Sequence, residues 1–378
     1  MLTRLYVDNY KCLVNFDLRL GREHLLLGRN GTGKSTVFEV LSALRSLVQG
    51  ASVSSAFPTS TLTRWQSHRY QTFELEVDLG GEDARYQYKL VLHHDADARD
   101  SFVRDESLFL GGSRLLTTTL DDDEGVFNVT FHTARGPQQW LANLGQSALW
   151  ALPQGAAFQK VTRFKQWLRN LLVVRIDPRR MAGRSEEEET SPDENLSNLA
   201  SWYRHLAQER LNEVVEIRDS LRQIFDGFDS LVLKSGGEQV RILRSSWKRK
   251  DGMPGTTVID EYAFEELSDG QRALIGLYTL LHAYENTGAT LCLDEPDNFV
   301  ALREIQPFLL ELRARERIQS LVISHHPEVI NLLAPDAGLR FERVAGGPVR
   351  VSPFQVESEE KATLTPAELV ARGWEDGQ

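Results

Sequence analysis

The sequence has few cysteines and no long hydrophobic run. Only Cys12 and Cys292 occur among its 378 residues. Both lie in apolar runs that predict strands, which argues against a disulfide framework and favours a reducing compartment. No stretch reaches the roughly 18 apolar residues that a membrane-spanning helix needs, and residues 1–11 lack the apolar core of a signal peptide. We therefore expect a cytoplasmic protein without a membrane partner.

Basic residues are fewer than acidic residues. Lys and Arg total 43 against 54 Asp and Glu, so the net charge is −11. This balance argues against a protein that binds nucleic acid over its whole surface, although it allows local basic patches. Sustained heptads and internal repeats are absent, so a long coiled coil is not expected. With 41% hydrophobic and 26% charged residues, the chain can bury a sizeable core in one large or two modest domains.

A complete phosphate-binding motif follows three strands predicted within residues 2–27. Residues 28–35 read GRNGTGKS and match G-x-x-x-x-G-K-[ST] at every fixed position, just before an amphipathic helix predicted from about Lys34 to Val48. Glycines let the backbone N–H groups converge on phosphates at a helix N-terminus. Lys34 is expected to reach the β- and γ-phosphates of ATP, and Ser35 to supply its hydroxyl to Mg²⁺. The residues predicted to bind the nucleotide here are Asn30, Gly31, Gly33, Lys34, Ser35 and Thr36.

A second candidate element is a short apolar run that ends in two carboxylates. Residues 290–293 read TLCL and precede Asp294 and Glu295. A buried parallel strand would deliver both to the sheet edge where the phosphate-binding loop lies. Asp294 then suits a Mg²⁺ ligand, largely through water. Glu295 is expected to orient or deprotonate the attacking water.

A serine-glycine turn 26 residues before Asp294 completes a family pattern. Residues 267–272 read LSDGQR and precede a predicted helix. Ser268 can cap that helix, whose free N–H groups form a second anion site. The order of these motifs resembles the ABC-type ATPase head, in which an LSGGQ signature binds the γ-phosphate held by the opposite protomer. The resemblance implies this role for Ser268 and Gly270, although Asp269 stands where transporter-type signatures have glycine.

Further motifs are similar to the same family. Residues 322–327 read VISHHP and resemble the strand that ends in a switch histidine, which implies that His325 hydrogen-bonds the γ-phosphate or the attacking water. Asp297 and Asn298 occupy the segment that meets the partner protomer in such heads. Gln66 and Gln71 are the candidates for the Q-loop glutamine. Lys34, Glu295 and His325 are thus the predicted catalytic residues.

The N-terminal residues VDNYK (7–11) resemble the first strand of RecF-like, SMC-like and OLD-family ATPases. Without a long coiled coil or a Toprim-like nuclease segment, the chain is similar to stand-alone AAA/ABC-type ATPases of prokaryotes. These are often paired with a separate effector in defence against phage or other foreign DNA. The resemblance implies an α/β P-loop NTPase with an ABC-ATPase-like head in two lobes and a β-hairpin and helical insertion.

The expected organisation has four parts. Residues 1–95 form the first lobe, 96–264 the insertion, 265–356 the second lobe and 357–378 a polar tail. Hairpins are predicted from about residue 72, near the end of the first lobe, to residue 133 in the insertion, with a solvated acidic turn at 121–124. Helices are predicted from 158 to 224 around an exposed loop at 183–194. A short helix is predicted at Thr365–Glu368.

Residues 160–184 hold eight cations and one acid, with Phe164 and Trp167 interleaved. Arg163, Lys165 and Arg169 could bind DNA or RNA phosphates while the aromatic rings stack on bases. Two alternatives remain open: a surface for a protein partner, or a solvated helix whose aromatic residues pack inward. A second basic cluster with one tryptophan lies at residues 244–250.

The function that these motifs favour is an ATP-hydrolysing enzyme that dimerises around ATP and Mg²⁺. Its expected role is to control a nucleic-acid-directed activity or a separate effector protein, in prokaryotic defence or DNA maintenance. Two alternatives are an ATP-gated assembly module with slow hydrolysis and the cytosolic ATPase subunit of a transporter.

Overall fold

The computed structural model of the chain describes residues 1–81, 85–95, 100–121, 126–153, 155–250, 257–355 and 364–373. Most of the acidic turn predicted at 121–124 and most of the polar tail predicted at 357–378 lie outside these ranges. None of the helices in these ranges is long and apolar enough to cross a membrane. The helices are α1 (Lys34–Gln49), α2 (Val53–Ala56), α3 (Gln159–Arg169), α4 (Leu199–Glu209), α5 (Leu211–Ile224), α6 (Asp269–Tyr284), α7 (Leu302–Ala314), α8 (Pro327–Ala337) and α9 (Pro366–Ala371).

The strands in the described part of the chain form three sheets. The first nine in chain order are β1 (Leu2–Asp8), β2 (Phe16–Arg19), β3 (Glu23–Leu27), β4 (Tyr70–Asp78), β5 (Arg85–Asp95), β6 (Asp100–Leu110), β7 (Ser113–Asp121), β8 (Val126–Thr133) and β9 (Gly136–Leu141). The others are β10 (Leu171–Val174), β11 (Arg184–Ser185), β12 (Phe228–Ser235), β13 (Arg241–Lys250), β14 (Thr257–Ala263), β15 (Thr290–Asp294), β16 (Gln319–Ile323), β17 (Gly338–Arg343) and β18 (Val349–Pro353).

The central sheet has the strand order β10-β15-β16-β3-β17-β18. Its first five strands pair in parallel, and β18 is antiparallel to β17. The C-terminal ends of β3, β10, β15 and β16 therefore lie at one edge, which is where open α/β sheets bind ligands. The predictions of β1, β2, β3, β15 and β16, and of α1 and α9, are confirmed.

Strand β10 corrects the helical prediction for residues 158–224. It continues the central sheet by pairing with β15, with Leu171 opposite Thr290 and Val174 opposite Leu293. A four-residue apolar run has no period that distinguishes a buried strand from a buried helix, and here tertiary pairing decides. The predicted insertion thus supplies a strand of the sheet that carries the candidate site.

The predicted hairpin extends into a long antiparallel meander. Its sheet has the order β2-β1-β4-β5-β6-β7-β8-β9 and crosses the predicted boundary at residue 95. Alternate side chains such as Phe73, Leu75 and Val77 face the core. They share one cluster with the apolar face of α1 and with Leu321 and Ile323 of the central sheet. Helix α1 is thereby fixed between the two sheets, directly behind the phosphate-binding loop.

A second core joins the other face of the central sheet to α4–α8 and to the small sheet of β11–β14. Every residue of α6 from Ala273 to Tyr284 is buried. Both cysteines are free and buried. Cys292 lies in β15 as predicted, whereas Cys12 lies on a turn closed by a backbone bridge between Tyr10 and Leu13 rather than in a strand.

Candidate functional site

The loop between β3 and α1 has a backbone that excludes side chains at two of its glycines. Gly28 and Gly33 have φ angles of 141° and 96°. A Cβ added at Gly28 would lie 2.4 Å from the carbonyl oxygen of Phe341, and one at Gly33 would lie 2.8 Å from Cγ2 of Val349. Gly33 is also the N-cap of α1 and offers no capping side chain. The first N–H groups of α1 are therefore available to an anion.

Lys34 folds back over this loop. Its Nζ donates hydrogen bonds to the carbonyl oxygens of Gly28 at 2.5 Å and Arg29 at 3.0 Å. Burial lowers the pKa of Lys34, while the negative charges of Asp294 and Glu295 oppose that shift. The ammonium group is thus held where the loop would receive a phosphate.

Asp294, the last residue of β15, is 9% exposed. Burial raises the pKa of its carboxyl and the charge of Glu295 raises it further. This pKa is lowered by the positive charge of Arg175, by a hydrogen bond from Ser35 and by the charge of Lys34. The Ser35 hydroxyl and the Asp294 carboxylate are hard oxygen donors that line the same cleft, and they fit Mg²⁺ by the chemistry of that ion.

Glu295 adopts a strained backbone immediately after the strand. Its φ is 53°, in the left-handed region that non-glycine residues rarely occupy. Its backbone N–H donates to the carbonyl of Ile323 at 2.8 Å, and its Oε2 accepts from Asn298 Nδ2 at 2.7 Å. The amide of Asn298 thereby orients the carboxylate. Such strain commonly occurs at functional sites.

Nine of the predicted site residues line one cleft of about 360 Å³ at the sheet edge. The cleft also contains Arg175 and Ile323. Ser268 and Gly270 are not among its lining residues. The predicted residues in the cleft are Asn30, Gly31, Gly33, Lys34, Ser35, Thr36, Asp294, Glu295 and His325.

The signature turn begins a regularly capped helix outside this cleft. Ser268 is the N-cap of α6: its hydroxyl accepts from the N–H of Gln271 at 3.2 Å, and Gln271 Oε1 accepts from the N–H of Ser268 at 3.0 Å. A Cβ at Gly270 would lie 2.9 Å from the carbonyl oxygen of Phe299. The turn therefore packs on the loop that follows Glu295.

Sequence reasoning missed Arg175, which follows β10 and faces the cleft. Its charge is the largest influence that lowers the pKa of Asp294. Four residues on, Arg179 contacts Asp269 at 3.5 Å and lies 5.5 Å from the ring centroid of Phe299. The segment after β10 thus links the cleft to the signature turn. Recognising residues 171–174 as a strand would have placed Arg175 at the same sheet edge.

Neither candidate for the Q-loop glutamine lines the cleft. Gln71 is fully buried and belongs to a polar network of the meander. Its Nε2 donates to the carbonyl of Asn9 and to the hydroxyl of Thr61. Gln66 lies in a turn, with its N–H donating to the carbonyl of Thr63.

The basic helix does not present its aromatic residues. Phe164 and Trp167 are 0% and 4% exposed, so the expectation that they stack on bases is wrong, and the inward-packing alternative holds for them. Arg163 donates to the carbonyl of Leu79 at 2.5 Å, and Lys165 donates to that of Trp150 at 3.0 Å. Arg169 lines a surface pocket that Lys165 shares.

The second basic cluster is largely paired. Lys248 contacts Asp229 at 2.7 Å, and Arg249 contacts Asp260 at 2.8 Å. Trp247 packs against two phenylalanines of the second core. With Arg244, which lies 3.7 Å from Glu261, three of the four cations at 244–250 are paired with a carboxylate.

Comparison with known proteins bears on the fold and the family of the chain. A solved structure, "Crystal structure of the SmcHead bound to the C-winged helix domain of ScpA", matches 96% of this chain and 99% of its own with a TM-score of 0.54 at 13% identity. The SMC head domain from Thermotoga maritima matches 94% of this chain and 99% of its own, with a TM-score of 0.46 and 15% identity. No curated protein matches significantly.

The first of these likenesses concerns the fold alone, and it confirms the α/β P-loop NTPase fold with an ABC-ATPase-like head. The model of one protein family matches residues 24–331, from the strand before the phosphate-binding loop to beyond His325. This is more than half of the chain. The chain therefore belongs to the family described as "AAA domain, putative AbiEii toxin, Type IV TA system", which is an AAA ATPase family of the RecF/SMC-like type.

Proposed function

We propose that the protein hydrolyses ATP to ADP and phosphate and does so as a homodimer. The observation that supports this most directly is the convergence of Lys34, Ser35, Asp294, Glu295 and His325 in one cleft. A cation for the phosphates, oxygen donors for Mg²⁺ and a carboxylate that can position water are groups that support phosphoryl transfer to water, and the strand-end histidine adds a hydrogen-bonding group beside them.

Each group has a distinct task in the proposed reaction. The N–H groups at the start of α1 and the ammonium of Lys34 bind the phosphates. Ser35 and Asp294 would hold Mg²⁺, which supplies positive charge to the phosphate oxygens. Glu295, oriented by Asn298, accepts a proton from water as the water oxygen bonds to the γ-phosphorus and ADP leaves. His325 donates a hydrogen bond to the γ-phosphate or the water.

The dimer is proposed because one chain does not assemble all the predicted residues. Ser268 and Gly270 lie outside the cleft of their own chain, at the N-terminus of α6, where the N–H groups left free by the capping box could bind an anion. A two-fold pairing would let the signature turn of each protomer face the phosphate-binding loop of the other. ATP would then bind between the protomers.

We infer that the dimer acts on a separate protein effector. The family description refers to a putative toxin of a type IV TA system, and the SMC head is bound to a domain of another protein in its solved structure. Nucleic acid is a less favoured partner, because Arg163 and Lys165 donate to backbone carbonyls. A role in prokaryotic defence rests on the resemblance of the motifs.

Lys34→Ala tests nucleotide binding. Alanine keeps the helix but removes the cation, so ATP affinity measured by calorimetry should collapse while thermal unfolding without nucleotide stays cooperative. Lys89→Ala, which removes an exposed lysine of the meander, should bind ATP as the native protein does. Unchanged binding by Lys34→Ala would refute the assignment.

Glu295→Gln tests the chemical step. The amide retains the shape of the side chain and removes the proton acceptor, so turnover should fall by roughly 10²-fold or more while ATP still binds. Because bound ATP then persists, the variant should elute as a dimer in ATP and as a smaller species without it. Native turnover by this variant would place the base elsewhere.

A further inference from the structure

A buried histidine at the end of α6 has one ring nitrogen without a hydrogen bond. The side chain of His282 is 4% exposed. Its Nδ1 has no hydrogen-bond partner among the residues that the structure describes. An unpaired nitrogen in so buried a position is costly and calls for a partner.

Two carboxylates flank this nitrogen. Oε2 of Glu216, on α5, is 3.6 Å from Nδ1, and Oε2 of Glu285, directly after α6, is 3.8 Å from it. The ligand atoms of the three side chains lie within 4.8 Å of one another. Donors at 2.0–2.2 Å from a tetrahedral metal are about 3.4 Å apart, so small side-chain rotations would bring these atoms to ligand spacing.

The other ring nitrogen is oriented by a hydrogen bond. Nε2 of His282 lies 2.9 Å from the hydroxyl of Ser220 on α5. When Nε2 donates to this hydroxyl, Nδ1 carries the lone pair that faces the carboxylates. A hydrogen bond on the far nitrogen is the usual way in which a metal-binding imidazole is fixed.

The charges around the histidine favour an added cation. Glu216, Glu285 and Glu311 approach His282, whereas the nearby cation Arg315 pairs with Glu285 at 2.8 Å and Glu311 at 2.6 Å. Three carboxylates thus face one guanidinium around this ring. A divalent cation would offset this excess of negative charge.

We propose that Glu216, His282 and Glu285 form a binding site for a divalent transition metal, with Zn²⁺ as the best-fitting ion. Imidazole with carboxylates is a donor set for Zn²⁺, whereas Mg²⁺ and Ca²⁺ take oxygen ligands. The site is separate from the nucleotide cleft and does not depend on the proposed ATPase activity. Since Glu216 lies on α5, the metal would tie that helix to the C-terminal end of α6, the helix that Ser268 begins.

The test is a titration of the full chain, stripped of metal by a chelator, with Zn²⁺ in the absence of nucleotide. The native protein should bind one Zn²⁺ at this site and gain thermal stability on binding. Glu216→Gln should weaken Zn²⁺ binding at least ~10-fold. Removal of a group that only hydrogen-bonds to a metal ligand already costs about that much, and Glu216 would be a ligand itself. Because the Glu216 side chain is 52% exposed, the variant should still fold. Its thermal unfolding in the absence of metal checks this.

Two matched variants complete the design. Asp219→Asn removes an acid of α5 with the same 52% side-chain exposure and should bind Zn²⁺ as the native protein does. Asp294→Asn removes the metal carboxylate of the nucleotide cleft and should also retain this site. Equal affinity of the native and Glu216→Gln proteins, or loss of all Zn²⁺ binding in Asp294→Asn, would overturn the proposal.

Discussion

Arg175 brings a second positive charge, besides Lys34, to a cleft that also holds Asp294 and Glu295. Arginine presents several donors in a planar fork that matches phosphate oxygens. In the absence of phosphate its charge stabilises the ionised form of Asp294. The side chain can therefore contact a bound phosphate while its charge acts on Asp294, the proposed Mg²⁺ ligand.

We predict that Arg175→Ala lowers kcat/KM for ATP about 10-fold or more, as expected when a charge-assisted hydrogen bond worth roughly 1.5–3 kcal/mol is lost. Arg175→Lys should recover part of the loss, because it restores the charge without the fork. Arg180→Ala, an exposed arginine outside the cleft, is the control. Steady-state turnover of the three variants measures the effect, and equal rates for both alanine variants would remove Arg175 from the site.

His94 is a buried residue whose charge state links pH to stability. It is fully buried, and its ring nitrogens contact Gln71 Oε1 at 2.9 Å and Ser101 Oγ at 2.8 Å. Burial, followed by the charge of His93, lowers the pKa of His94 from 6.5 to about 4. The unfolded chain therefore binds more protons than the folded one between these values.

We predict that the free energy of unfolding falls as the pH drops from 6.5 to 4, with His94 contributing up to about 3 kcal/mol. Below the folded pKa this residue causes no further loss. Urea unfolding across this range should show a smaller decline for His94→Asn than for the native protein, whatever the variant's stability at pH 7. Parallel declines would mean that His94 is protonated equally in both states.

At the scale of elements, the loop after β15 connects the two halves of the candidate site. Glu295 faces the cleft at its start, and Phe299 contacts the signature turn through Gly270. Phe299 itself has a φ of 72°, an unusual conformation for an aromatic residue. A shift of this loop would therefore move both Glu295, the proposed base, and the residues that contact Gly270 in the signature turn.

We predict that Gly270→Ala lowers turnover more than ATP binding by the isolated chain. Its Cβ would lie 2.9 Å from the Phe299 carbonyl oxygen, and backbone must move to relieve that contact. Gly21→Ala is the control, since its Cβ would lie at an ordinary 3.5 Å from His24 Nε2. The turnover and the calorimetric ATP affinity of both variants provide the comparison. A native rate for Gly270→Ala would show that the loop after β15 can move without lowering turnover.

The elements that sequence predicted well are those with a strong local pattern. The helix after Gly33 has a regular apolar face, and the strands before Asp294 and Ser324 contain the apolar runs LCL and LVI. Strand β10 has only four residues, and its pairing with β15 is a long-range contact that local pattern does not encode. Arg175 was missed for the same reason.

The basic helix shows the opposite limitation. A spacing of three residues places Phe164 and Trp167 on one face of α3. The same pattern is expected for a surface that stacks on bases and for a face that packs against the core. Only the meander beneath the helix, through Tyr86 and Tyr88, decides between them. Sequence therefore located the helix and its charges but could not assign its buried face.

At the scale of the whole molecule, the proposed composite site has two parts that lie apart in one chain. One is the cleft around Lys34, and the other is the N-terminus of α6 at Ser268. In a two-fold dimer each pocket would combine a cleft from one protomer with a signature turn from the other. This arrangement makes a strong prediction about mixtures of defective chains.

We predict that mixing Lys34→Ala with Ser268→Arg restores activity that neither variant has alone. In the heterodimer one pocket carries both defects, while the other pairs the intact cleft of the Ser268→Arg chain with the intact signature of the Lys34→Ala chain. An equal mixture with random pairing should reach roughly one quarter of the native rate, because half of the dimers have one of two pockets intact.

The control for this prediction mixes Lys34→Ala with the double variant that carries both changes. Every cleft in that mixture lacks Lys34, so no pocket is complete and turnover should stay at the background. Loss of the Ser268 cap costs about 1 kcal/mol, which is small against the stability of a typical domain, so both partners should remain folded. If the first mixture is no more active than this control, ATP is not hydrolysed in independently acting pockets shared between protomers. Activity that persists unchanged on dilution to monomers would contradict the dimer itself.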